Sequence, residues 1–113
     1  MKESIIERYL VLRVKSLGGE VRKVKWIGRR GAPDRLVMLP EKIVAPWQSN
    51  IPINGRYWGG GYTKPPKAIW VELKATGKRP EPHQLREHDR MQAMGQNVVV
   101  IDSIEGVDAL LGI

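Results

Sequence analysis

The alternation of apolar and polar positions divides the chain into short, well-separated elements. Ile6, Leu10, Val14 and Leu17 recur at helical spacing and predict a helix over about residues 5–17, with Ser4 and Glu7 placed to form a capping box. Gly18-Gly19 then supplies residues that tolerate a left-handed turn and ends the helix. Val21, Val24, Trp26 and Ile27 give residues 20–27 the β-branched and aromatic content of a strand, although the alternation is imperfect. After the glycine-punctuated turn Gly28-Arg29-Arg30-Gly31-Ala32-Pro33, residues 34–39 read as a second strand closed by Pro40.

The clearest strand spans residues 68–75, with Ile69, Val71 and Leu73 on one face and Trp70, Glu72 and Lys74 on the other. A polar turn, Thr76-Gly77-Lys78-Arg79-Pro80, leads to a helix opened by Pro82, carrying Leu85, His88 and Met91 on one side and ending at Gly95. Val98-Val99-Val100-Ile101 is a continuous apolar run suited to a strand covered on both faces, and Ile104, Val107, Leu110 and Leu111 outline a short last helix. The order α-β-β-β-α-β-α implies an α/β fold in a single domain, a mixed central β-sheet flanked by helices. Residues 40–66 interrupt it: five prolines, four glycines and no sustained period make a segment long for a connection inside a small domain. Four of the seven aromatic residues, Trp47, Tyr57, Trp58 and Tyr62, fall in this insertion and are expected to cap the core or a dimer interface.

Length and composition narrow the class. A chain of 113 residues holds one hydrophobic core, and 42% hydrophobic with 27% charged residues is ordinary for a soluble globular protein. No apolar run approaches a membrane span and the N-terminus has no signal-peptide pattern, so the expected location is the cytoplasm, with no membrane partner. Cysteine is absent and histidine is limited to His83 and His88, both read as surface or packing residues. A zinc site is therefore not expected, and any metal would be a hard cation on oxygen ligands. The net charge of +7 and a pI of about 10.0 favour a polyanionic partner, nucleic acid above all.

Within that frame Glu72 and Lys74 raise a question, because two charges stand on one face of an otherwise apolar strand, where burying either one unpaired is costly. If Asp34, at the start of a neighbouring strand, lies beside Glu72, two carboxylates converge and repel unless a cation separates them. Magnesium suits such a pair, since it takes one or two carboxylates and completes its shell with water and phosphate oxygens. Lys74 would then orient the attacking water or stabilise charge on a phosphate. Arg29 and Arg30 before Asp34, and Lys78 and Arg79 after Lys74, flank the site in sequence and are candidate phosphate contacts.

Pro33-Asp34 followed by Glu72-Leu73-Lys74 resembles the PD-(D/E)xK nuclease superfamily. Gly31-Ala32-Pro33-Asp34-Arg35 with Gln84 downstream is similar to its VRR-NUC branch, in the stand-alone phage or bacterial form, over most of the chain. The resemblance implies a restriction-endonuclease-like core spanning residues 1–113 and a magnesium-dependent endonuclease, with manganese able to substitute and no small-molecule cofactor. It makes Asp34 and Glu72 metal ligands and Lys74 the residue that assists the attacking water. Glu7 of the first helix, with Glu3 as fallback, would complete the acidic set, and Gln84 would neighbour Lys74 and Glu72. It further implies cleavage of branched DNA such as four-way junctions by a homodimer, in a bacterial or phage-infected cytosol. A flap-, nick- or end-processing nuclease would use the same residues, and a DNA-binding module without catalysis is the remaining alternative. The insertion departs from the short hairpin common in this branch.

Overall fold

The computed structural model describes the backbone of residues 1–53 and 56–113, and the side chains of residues 1–42 and 64–113. Helix α1 runs from Glu3–Ser16, followed by strands β1 (Glu20–Lys23) and β2 (Arg35–Leu39). The inserted segment contributes β3 (Lys42–Ile53) and β4 (Arg56–Lys64), after which come β5 (Lys67–Leu73), α2 (Pro82–Ala93), β6 (Val98–Ile101) and α3 (Ile104–Leu111).

Four strands form the central sheet in the order β1-β2-β5-β6. The β1–β2 and β2–β5 pairs are antiparallel and β5–β6 is parallel, so the sheet is mixed as its sequence order implied. The parallel pair follows from the α2 crossover, which returns the chain to run alongside β5. One face of the sheet presents Val37, Ile69, Val71 and Leu73 to Ile6, Leu10 and Val14 of α1 and to Val107 of α3, and these side chains make up the core. Tyr9 of α1 donates a 2.6 Å hydrogen bond to Asp108 of α3, tying the two helices together over that face.

Two glycine positions are demanded by the packing. A side chain at Gly19 would stand 2.4 Å from the carbonyl oxygen of Met38, so only glycine lets the α1–β1 turn pass that close to β2. Gly31 has a φ of +86°, and a Cβ there would meet the backbone of His83 and Gln84, which seats the β1–β2 loop against the N-terminus of α2.

Three local expectations are revised. Helix α1 begins two residues early with Lys2 at its N-cap, so Ser4 caps nothing and Glu7 is released from a capping box. On α2, Leu85 is 48% exposed while Glu87 is buried with His88 and Met91, because Arg29 and Arg90 neutralise the Glu87 carboxylate. The insertion is an antiparallel β3–β4 hairpin with two register shifts rather than an irregular connection, paired with no other strand among the described residues. The side chains of Trp47, Tyr57, Trp58 and Tyr62, expected to cap a core or an interface, lie outside the described ones.

Candidate active site

Strand β5 projects Glu72 and Lys74 from the face opposite the core residues Val71 and Leu73. The antiparallel register pairs Arg35 with Val71 and Leu36 with Trp70. Asp34 immediately precedes Arg35 at the end of this ladder, near enough to Glu72 for its charge to be felt there. Asp34 is fixed there by its own backbone, whose carbonyl accepts the Val24 N–H at 2.9 Å, and by the buried Pro33 before it.

Glu72 is 7% exposed, and this burial pushes its carboxyl up to about 7. The Lys74 charge opposes that shift, while the charges of Asp34 and Glu3 add to it and that of Arg35 again opposes it. A carboxylate so placed is buried among negative neighbours with too little positive charge to hold it ionised.

Lys74 is positioned by α2. Its Nζ donates to Gln84 Oε1 at 2.9 Å, and the same oxygen accepts the backbone N–H of Glu81, the N-cap residue, at 2.7 Å. Gln84 thus serves two purposes, closing the first turn of the helix and steering the ammonium. One turn along α2, His88 is 4% exposed with Nε2 3.4 Å from Glu72 Oε1. Burial, helped by the Lys74 charge and opposed by Asp89 and Glu87, holds the imidazole below its ordinary range, so a neutral ring meets the Glu72 carboxyl. His88 was not among the residues expected at the site. Its only sequence signal is its spacing of four from Gln84, which puts both on one side of a helix.

Asp34 has its own partner. Arg35 Nη1 lies 2.8 Å from Asp34 Oδ1, while Nε and Nη2 of the same guanidinium engage Glu7 Oε1 and Oε2 at 3.1 and 3.0 Å. Burial works against the charge on Arg35, but the bonds to Glu7 and Asp34 outweigh it. Glu7, in turn, is held below the usual carboxylate range by its Arg35 hydrogen bond. Both Glu7 oxygens are therefore occupied by a guanidinium, whereas the α1 carboxylate whose charge is felt at Glu72 is that of Glu3.

The flanking cations divide into two kinds. Arg29 donates to the buried Glu87 at 2.7 Å and so anchors the β1–β2 loop on α2. Arg30, Lys78 and Arg79 are exposed, without an ion pair among the described residues.

The donor set fits a hard divalent cation. Two carboxylates lie within reach of each other's charge, and one of them is destabilised as an anion by its surroundings. The protein would then offer two carboxylate ligands and leave the other positions to water and phosphate, which is the habit of magnesium. No described helix is long and apolar enough to cross a membrane.

No protein-family profile matches the chain. A curated phage protein, "Putative nuclease p44" of Acyrthosiphon pisum secondary endosymbiont phage 1, is 42% identical over 103 residues, which cover 91% of this chain and 85% of that protein. A solved structure described as a VRR_NUC domain superimposes with a TM-score of 0.67 at 37% identity, covering 99% of this chain and 96% of its own.

Proposed function

Because this chain belongs to the VRR-NUC domain family, we propose that it is a magnesium-dependent DNA endonuclease, with manganese able to substitute, acting on branched DNA such as four-way junctions. What supports the reading is that Glu72, buried at the end of β5, feels the charges of both Asp34 and Lys74, with Lys74 steered by Gln84.

Asp34 and Glu72 would hold the cation through the carboxylate oxygens not engaged by Arg35 and His88. When bound, magnesium supplies acidification of a water nucleophile and polarisation of the phosphoryl oxygens. The protein does the rest by placement. Lys74 Nζ, held by Gln84 Oε1, presents its remaining N–H donors toward the attacking water and the phosphate, where negative charge builds as the phosphodiester bond breaks. Arg35 keeps Asp34 oriented, and Glu7 keeps Arg35 in place, so the first helix contributes through a positioned guanidinium. Arg30, Lys78 and Arg79 would bind backbone phosphates on either side, contacts that position DNA without reading its bases.

A four-way junction resolved symmetrically needs two cuts, and one such domain has one site. A homodimer with two-fold symmetry supplies the second. The test is cleavage of a four-way junction and of linear duplex of matched sequence, each with magnesium or with chelator, alongside sedimentation of the protein. Magnesium-dependent cutting of the junction in preference to the duplex is expected. Cutting in chelator overturns the metal assignment, and preference for flaps or ends overturns the junction assignment.

A further inference from the structure

A shallow cleft opens beside Asp34, lined by Lys23, Val24, Lys25, Trp26 and Asp34. The residues after β1 turn out of the ladder here, so a lysine pair and an indole sit next to the first metal-ligand candidate. Trp26 is held rather than loose: its Nε1 donates to the Pro33 carbonyl at 2.8 Å, and its ring centroid lies 5.2 Å from that of Trp70, with the planes tilted by 48°. It is nevertheless 36% exposed. The exposed part of this anchored indole lies beside two exposed cations, Lys23 and Lys25, and the Asp34 carboxylate.

We propose that this cleft receives one unpaired nucleotide of the DNA strand next to the phosphate cut at Asp34, with its base stacked on Trp26 and its phosphates on Lys23 and Lys25. The inference rests on the nuclease reading and sharpens it. Duplex DNA hides the faces of its bases, whereas a nucleotide at a branch point, bulge or fork can leave the stack and offer a π-face. Stacking on an aromatic side chain accepts any base, so the cleft selects DNA by local unpairing rather than by sequence. It thus gives the domain a way to favour branched substrates over linear duplex. The Nε1 bond to Pro33, one residue from Asp34, fixes the stacking platform relative to the cutting site.

Binding without cleavage tests this on the whole protein. Affinity is measured in chelator for three duplexes: one carrying a single bulged nucleotide, one with that nucleotide replaced by an abasic site, and one fully paired. The wild-type protein is expected to prefer the bulged base to the abasic site by about tenfold, the usual order for loss of one base-aromatic stack. Trp26→Ala should remove that preference and Trp26→Phe should keep most of it. Lys23→Ala should weaken the bulged and abasic duplexes alike, and more than the fully paired one, and lower the salt dependence of their binding by about one phosphate contact. Equal binding of bulged and abasic duplex by the wild-type protein overturns the proposal, whatever the folding of the variants. Base-dependent binding without magnesium-dependent cleavage of a junction would instead overturn the nuclease reading alone, and junction cleavage without base-dependent binding would overturn the cleft alone.

Discussion

Asp34, one step before the Arg35–Val71 pair, stands near enough to Glu72 for its charge to be felt there, although 38 positions separate them in the chain. Each is tied through one oxygen to a buried neighbour, Asp34 to Arg35 and Glu72 to His88. The remaining oxygens are left for a cation.

Glu72 links stability to pH. Its carboxyl is raised by burial from 4.5 to about 7, so between these values the folded chain keeps a proton that the unfolded chain has lost. The contribution is fully present below pH 4.5 and is lost as pH rises through about 7, on the order of 3 kcal/mol in all. Metal-free wild-type protein should therefore lose stability relative to Glu72→Gln across that window, and magnesium should restore more of it at pH 8 than at pH 5. Thermal unfolding of both proteins in chelator and in magnesium reads this directly. A constant difference between them from pH 4 to 8 would contradict the placement of Glu72.

Glu7 and Glu3 are expected to behave differently. Glu7→Gln removes the bidentate partner of a buried guanidinium and should cost about 1–3 kcal/mol in urea unfolding, while leaving the magnesium concentration for half-maximal cleavage within about threefold. Glu3→Gln should spare stability and raise that concentration, because its charge reaches Glu72. The reverse pattern would make Glu7 a ligand.

Gln84→Ala should lower the single-turnover cleavage rate by about 10- to 100-fold with little change in DNA affinity, since it frees Lys74 without removing its charge. A loss of stability of about 1 kcal/mol should accompany it, from the uncapped Glu81 N–H. Unchanged rates would separate Gln84 from the chemistry.

His88→Ala should weaken manganese binding, followed by calorimetry, by about 10- to 100-fold, and His88→Gln should recover part of it by offering an N–H to Glu72. Equal metal affinity in all three proteins would leave His88 a packing residue.

The parts legible in the sequence were those with local signals. Alternation around Glu72 and Lys74 placed both on the face away from the core, and Pro33-Asp34 marked the strand entrance opposite. What escaped depended on partners far along the chain. Glu7 read both as a capping residue, because Ser4 stands three residues before it, and as the acid completing the site, yet the helix starts earlier and the carboxylate turns to Arg35, 28 positions away. His88 looked like one more residue on an apolar stripe, and only the fold shows that the stripe ends against Glu72. Arg29 read as a free phosphate contact until Glu87, an acid buried where Leu85 was expected, engaged it. The hairpin of the insertion was concealed by prolines and glycines that weaken strand propensity without preventing pairing.

Single-turnover cleavage of a four-way junction in magnesium, by wild-type protein and by Asp34→Asn and Glu72→Gln, tests the shared cation site most directly. Loss of a ligand removes several kcal/mol of transition-state stabilisation, so each variant should fall by about 10²- to 10⁴-fold, and the double variant should be little worse than either alone. Either single variant cutting at close to the wild-type rate would contradict the account.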